Sequence, residues 1–440
     1  MPSKRSFAKN LGISVITVEN SYAQLQAEGY IYSKPKSGFY VADISGMVEK
    51  RTVTPKEKVI KAGERTISRK AGMQKNNYIA DFVTNHTKPE NFPFSIRAKL
   101  MREVISARED ELMETSPSGG SMELRTAIAE YLRQFRNMTV EPEQIIIGAG
   151  TEYLYTLLIQ LLGRDDIYAV EDPGYRKLSQ IYESNGVEYR FIPMDYKGMI
   201  IPELEKSGAE VVHITPSHHF PTGIVSPVSR RYELIAWATD ADNRYIIEDD
   251  YDSELRLEGK PIPTMQSMDV AEKVIYMNTF TKTLSSTIRI SYMVLPPHLL
   301  QRFRDRLSFY SCTVSNFEQY TLAQFITQGY YERHINRMRN YYRKVRDELL
   351  SEIDNSSLRD KVEIMEEESG LHLLMKLNTD MPDSILLEQG RRNGLYLACL
   401  SQYYSGSSGS DKQHTLIMNY TGIDRGIIKE AVRLLESTII

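Results

Sequence analysis

The stretch Val274-Ile275-Tyr276-Met277-Asn278-Thr279-Phe280-Thr281-Lys282-Thr283-Leu284 decides how the rest of the chain is read. An apolar run ends in a hydroxyl-rich turn with one lysine, and Arg289 follows before a second apolar run. Lysine is strongly hydrated and seldom sits between two buried strands without a task. Ringed by hydroxyls and backed by an arginine, Lys282 suits a Schiff base to an aldehyde cofactor whose phosphate lies alongside. An ordinary loop lysine fits this stretch equally well, so the surrounding chain has to decide.

Upstream, short apolar runs alternate with helical periods. Ser121 to Phe135 reads as an amphipathic helix with Leu124, Ile128 and Leu132 on one stripe. Gln144 to Ile147 reads as a buried strand that runs into Gly148-Ala149-Gly150-Thr151-Glu152, with a helix from Tyr153. Strand, glycine turn and helix start bring free backbone amides and a partial positive charge to one point, a phosphate site to which Thr151 adds a hydroxyl. Further strands end in Glu171-Asp172-Pro173-Gly174-Tyr175, in Thr215-Pro216-Ser217-His218-His219-Phe220-Pro221-Thr222-Gly223 and in Asp249-Asp250-Tyr251-Asp252. Motifs at the carboxyl ends of successive strands converge on one crevice of an open α/β sheet.

Glu248-Asp249-Asp250 follows an apolar strand, and adjacent acids there repel each other unless a cation meets one of them. A protonated pyridine nitrogen is such a cation, which points to Asp249, while Tyr251 would donate to the same ring's phenolate oxygen. Asp250 and Asp252 read as a solvated acidic turn. Tyr175 serves either to stack on a ring or to pack a core. His218 and His219 read as loop histidines, exposed or hydrogen-bonded. With no carboxylate or cysteine at ligand spacing, no metal site is expected.

The chain of 440 residues is too long for one small core, and 41% apolar with 25% charged residues is an ordinary globular composition. No apolar run is long enough to cross a bilayer and no signal peptide opens the chain, so a cytoplasmic protein without a membrane partner is expected. Cys312 and Cys399 read as reduced thiols. Charge is uneven: residues 1–70 hold 13 Lys or Arg against 6 Asp or Glu, a net +7, which leaves −11 on the remainder of a chain of net −4. A basic head on an acidic body suggests that the head meets a polyanion.

In that head, residues 2–12 read as a short helix with Phe7, Ala8 and Leu11 on one face. Gly12-Ile13 makes a turn, and Ser14 caps a second helix that buries Val18, Tyr22 and Leu25. Two short strands follow around Lys34-Pro35-Lys36-Ser37-Gly38. This is the layout of a winged helix-turn-helix, with Ser3, Arg5, Ser14, Thr17 and Lys36 as the side chains that would contact DNA. The expected boundaries are a DNA-binding domain at 1–45, a linker at 46–77 and an effector domain at 78–440, its large part about 110–324 and its small part about 325–440.

The head resembles the GntR class of bacterial DNA-binding domains through Leu11-Gly12-Ile13-Ser14-x-x-Thr17-Val18, Leu25-x-x-Glu28-Gly29-Tyr30 and Gly38-Phe39-Tyr40-Val41. Val15 stands where the class usually has an arginine, and its first helix and following strand would precede Met1, which implies an N-terminally truncated winged helix. The whole chain resembles the MocR group of GntR regulators, which fuse a winged helix to a fold-type I aminotransferase. That implies an α/β fold in which Lys282 forms the internal aldimine with pyridoxal 5′-phosphate. Asp249 would pair with the pyridine nitrogen, Tyr251 would face the phenolate oxygen and Tyr175 would stack on the ring. Gly150, Thr151, Thr279, Thr281 and Arg289 would hold the phosphate. A head-to-tail homodimer is also implied.

Three departures bear on activity. Phe220 stands where aminotransferases usually have asparagine, and Glu114 where a tyrosine reaches the neighbouring subunit's phosphate. Ile417 stands where an arginine would clamp a substrate carboxylate, a place that Lys177, Arg391 or Arg392 would have to fill. The expectation is therefore a transcriptional regulator in which the cofactor, or its adduct with a small amine or amino acid, modulates DNA binding, with at most a residual half-reaction. An aminotransferase with a vestigial head is the alternative. A body that is only a dimerisation scaffold is disfavoured by the intact Lys282, Asp249, Tyr251 and Arg289.

Overall fold

A computed structural model describes residues 1–27, 30–34, 37–41, 78–257, 263–366, 370–405 and 414–440. The expected linker at 46–77 and Lys36 lie outside the described residues. The chain divides into two units, Met1–Gln74 and Lys75–Ile440.

In the first unit, α1 (Lys4–Leu11) ends at Gly12, whose φ of 68° lets the backbone turn where a side chain would be strained. α2 (Val15–Ala27) begins after Ser14, whose hydroxyl accepts from the Thr17 amide at 3.0 Å. β1 (Ile31–Lys34) and β2 (Gly38–Val41) pair antiparallel. The small core consists of Ala8, Val18, Tyr22 and Ile31, with Phe7, Leu25 and Phe39 packed on it. Leu11, expected on the buried face, is 53% exposed, because α1 stops there and nothing among the described residues covers it.

The second unit is built on an eight-stranded sheet. Its strands, with a peripheral pair, are β3 (Ala80–Asp81), β4 (Ile145–Gly148), β5 (Tyr168–Asp172), β6 (Tyr189–Asp195), β7 (Gly198–Met199), β8 (Val211–Ile214), β9 (Tyr245–Asp249), β10 (Val274–Thr279) and β11 (Ser291–Val294). The order across the sheet is β4-β11-β10-β9-β8-β5-β6-β7, and β3 pairs instead with β14 (Leu395–Tyr396). β10, β9, β8, β5 and β6 run parallel, and the four central ones, β5, β8, β9 and β10, are buried along their whole length because helices cover both faces, while β6 nearer the edge is partly exposed. Leu154, Leu158 and Phe303 pack on one face, and Leu204, Leu234 and Trp237 on the other. β11 is antiparallel to both β10 and β4. Its first residue, not its last, therefore lies at the edge where the parallel strands end.

A smaller sheet of β12 (Val362–Met365), β13 (His372–Leu377) and β15 (Thr415–Asn419) is antiparallel throughout. The helices Tyr330–Asp354 and Ile428–Ile439 pack with it in the largest core cluster. No helix among the described residues is long and apolar enough to cross a membrane. Cys312 and Cys399 are free thiols.

Candidate functional site

Register brings the separate motifs together. Asp249, the last residue of β9, lies opposite Met277 of β10. β10 ends two residues later at Thr279, and the single-turn helix Phe280–Thr283 carries Lys282 over the same edge. Lys282 is half-buried, with Nζ 5.6 Å from the centre of the Tyr251 ring. Burial lowers the amine's pKa, against the opposing charges of Asp252 and Asp249. Desolvation of this kind favours the neutral, nucleophilic amine.

One oxygen of Asp249, Oδ2, accepts a hydrogen bond from the Tyr155 hydroxyl and lies 3.6 Å from His213 Nε2. His213 is fixed in turn by the Tyr182 hydroxyl, 2.8 Å from Nδ1. The other oxygen, Oδ1, is buried and has no partner. A buried carboxylate oxygen without a donor is costly, and a protonated ring nitrogen would supply one. The site therefore fits a pyridinium at Asp249.

Gly150 (φ 93°) opens the helix Thr151–Leu162 at the end of β4. Arg289, in the left-handed region at φ 52°, precedes β11 and reaches the same place. A Cβ on Gly150 would lie 2.3 Å from the movable end of Arg289, Nη2, and the positive φ at Gly150 is a backbone conformation that favours glycine. Thr279 and Thr281 join their hydroxyls at 2.9 Å, and Ser291 donates to Thr279 Oγ1 at 2.7 Å. Backbone amides at a helix start, hydroxyls and a guanidinium are the groups that a phosphate cradle needs. Glu152 already lies 3.2 Å from Arg289 Nη2 and is also held by Lys177. Lys177 is thereby committed to the cradle's rim.

The acidic turn is not solvated. Asp250 is 1% exposed, and its Oδ2 takes the Arg136 guanidinium together with the hydroxyls of Tyr276 and Ser253, both at 2.8 Å. Asp252, also buried, accepts from His218 Nδ1 at 2.7 Å. Both residues correct the expectation of a solvated turn, because cations and donors distant in sequence meet them inside the protein. His218 and His219 are buried and hydrogen-bonded. Four further residues have partners here for which the sequence carried no signal. His372 lies 4.5 Å from the His218 ring, and Tyr155 and His213 hold Asp249. Glu171, buried, takes the Thr215 amide and hydroxyl at 3.0 and 2.9 Å and faces His219 Nε2 at 3.4 Å. Burial pushes Glu171 up to about 8 and His219 down to about 3, so both are neutral near pH 7.

Tyr175 is 49% exposed, more than a core residue would be, and its ring meets that of Phe220 in a T-shaped contact at 6.3 Å. Phe220 packs in an apolar cluster with Leu374, Leu400, Ile417, Tyr403 and Tyr404. Ile417 is therefore surrounded by hydrocarbon. Arg391 and Arg392 are exposed on the helix Asp383–Arg392, the latter paired with Glu388. Glu114 is exposed at the end of the helix Glu109–Met113. No cluster of metal-binding side chains occurs among the described residues.

In the first unit, Ser3 caps α1 through the Ser6 amide at 3.2 Å, and Ser14 and Thr17 join their hydroxyls at 2.8 Å. Arg5 is exposed. All four described candidates for DNA contact lie on or beside α1 and α2.

Residues 87–402 match the family described as aminotransferase class I and II. The chain is 37% identical over 441 residues to the HTH-type transcriptional regulator YdeL of Bacillus subtilis, covering 99% of this chain and 91% of that one. It is 32% identical over 448 residues to the probable rhizopine catabolism regulatory protein MocR of Rhizobium meliloti, covering 100% of this chain and 89% of that one. Among solved structures, the kynurenine aminotransferase of Pyrococcus horikoshii, in complex with PMP, superposes with a TM-score of 0.72. It is 25% identical, and the match covers 82% of this chain and 91% of that one.

Proposed function

Because the chain belongs to the aminotransferase class I and II family and to the MocR-type group of GntR transcriptional regulators, we propose that its body holds pyridoxal 5′-phosphate between Lys282 and Asp249. The cofactor, alone or with a small amine or amino acid, modulates DNA binding by the head. The observation that carries this reading is the buried Asp249 Oδ1 with no partner, at the sheet edge that also presents Lys282 and the Gly150–Arg289 cradle.

When bound, the cofactor supplies an aldehyde that captures amines and a ring that withdraws electrons from them. The chain's own residues do the rest. Asp249 keeps a proton on the ring nitrogen, with Tyr155 and His213 fixing the carboxylate from behind. Tyr251, beside both Lys282 and His218, donates toward the ring's phenolate oxygen. Tyr175 covers one ring face. Gly150, Thr151, Thr279, Thr281 and Arg289 hold the phosphate. Burial lowers the Lys282 amine's pKa, which favours its neutral, nucleophilic form.

We assign catalysis at most a residual half-reaction. The apolar surroundings of Ile417 and Phe220 supply no guanidinium for a substrate carboxylate. A head-to-tail homodimer with sites at the subunit interface accompanies this reading, and light scattering of the purified chain checks it. The reading itself is tested by visible absorbance: the chain with pyridoxal 5′-phosphate gains a band that Lys282→Ala lacks. A chain that cannot be coloured by the cofactor contradicts it.

A further inference from the structure

α2 contains neither lysine nor arginine among its 13 residues. The commonest way for a helix to read guanine, a cationic fork on its O6 and N7, is therefore unavailable to it. What α2 offers can be read from its faces. Val18 and Tyr22, one turn apart, are both 2% exposed and form the inner stripe. Ile16 and Asn20, also one turn apart, occupy the opposite stripe, and both are exposed, Ile16 by 69%.

The neighbouring polar side chains already have partners. Ser14 and Thr17 share a hydrogen bond at 2.8 Å, Ser21 donates to the Thr17 carbonyl at 3.0 Å, and Glu19 is held by Lys4 at 2.8 Å. The small core of this unit does not use Ile16. Among the described residues Ile16, the second residue of α2, is a large aliphatic side chain outside that core, beside the exposed Val15. Lys4, Arg5, Lys9 and Lys34 outnumber Glu19 among the unit's described charges, so its complement is a polyanion.

Resting on the reading that this unit binds DNA, we propose that α2 reads A·T pairs in the major groove. Ile16 packs on a thymine methyl and Asn20 pairs with the N6 and N7 edge of adenine. Guanine is not read by this helix. The basic residues around it bind phosphate and carry no base preference.

The test uses the full chain and a duplex selected from random sequence. Each thymine of the selected site is replaced by deoxyuridine, which removes only the methyl group. One such replacement is expected to weaken wild-type binding about fourfold, the effect of one buried methylene-sized group, and to leave Ile16→Ala unaffected. Asn20→Ala is expected to lose about tenfold of its preference for one adenine, and Ile16→Arg to exchange a thymine for guanine on reselection. A wild-type site indifferent to every methyl, or one whose preferred guanines vanish on α2 substitution, overturns the proposal while leaving the DNA-binding reading intact. Failure to select any sequence overturns both.

Discussion

Tyr155 donates its hydroxyl hydrogen to one oxygen of Asp249, while the other oxygen of that carboxylate is buried without a donor. The two residues are 94 positions apart, joined because the helix Thr151–Leu162 packs under the sheet edge where β9 ends. The carboxylate is fixed on one side and left open on the other, as a receptor for a cationic ring requires.

Asp249→Ala is expected to weaken pyridoxal 5′-phosphate binding by at least a hundredfold, since a charged, buried hydrogen bond contributes about 3 kcal/mol or more. Tyr155→Phe keeps the charge and loses only the orienting bond, so about tenfold is expected. Equilibrium dialysis with the cofactor measures both. Equal affinity in wild type and Asp249→Ala would remove Asp249 from the site.

Gly150→Ala separates fold from site. The positive φ costs about 1–2 kcal/mol of stability, and the new methyl group meets the movable end of Arg289 rather than the backbone. Denaturation should shift only modestly, while cofactor affinity falls and inorganic phosphate competes less well. A variant with wild-type cofactor affinity would show that the cradle lies elsewhere.

Arg136 and Asp250 are both almost fully buried, and Asp250 anchors the turn that carries Asp249, Tyr251 and Asp252. Arg136→Ala strands a buried carboxylate and is expected to cost about 3–5 kcal/mol, read as a lower denaturation midpoint. A change below about 1 kcal/mol, the range of a surface pair, would mean that the guanidinium is not needed there.

The pH dependence has a definite sign. Burial raises Glu171 from 4.5 to about 8, so the folded chain holds that proton where the unfolded chain has released it. Its stabilising contribution is full below about pH 4.5 and is lost as pH rises toward 8, at up to about 1.4 kcal/mol per pH unit. Glu248 and Glu254, both raised to about 7 by burial, act in the same direction. His219, lowered to about 3, acts oppositely: its contribution is present above pH 6.5 and lost as pH falls toward 3. Denaturant midpoints between pH 5 and 8.5 should therefore decline more steeply for wild type than for Glu171→Gln, which stays neutral. Parallel profiles would show that Glu171 releases its proton normally.

The fold was legible in the sequence because the central strands are short apolar runs that end in distinctive turns, from Gly148-Ala149-Gly150 to Thr281-Lys282. Lys282, Asp249, Gly150 and Arg289 stand at those turns, so their convergence on one edge followed from strand order alone. Their supports were not legible. Arg136 meets Asp250 from 114 residues away and turns an apparently solvated acidic loop into a buried one. His372 lies 4.5 Å from the His218 ring, and Gly370 sits against the same ring, where a Cβ would lie 2.3 Å from Cε1. Leu11 shows the converse: helical spacing placed it inward, but the helix ends there and leaves it exposed. Periodicity reports the face of an element, not what arrives to cover it.

In the proposed function, the Lys282 site governs DNA binding by the head. Its most direct test is fluorescence-anisotropy titration of the full chain against its own upstream DNA, with and without pyridoxal 5′-phosphate, at two salt concentrations. Binding is expected to weaken steeply with salt, with a Kd that shifts at least fivefold with cofactor in wild type but not in Lys282→Ala. A Kd that ignores the cofactor in both proteins would contradict it.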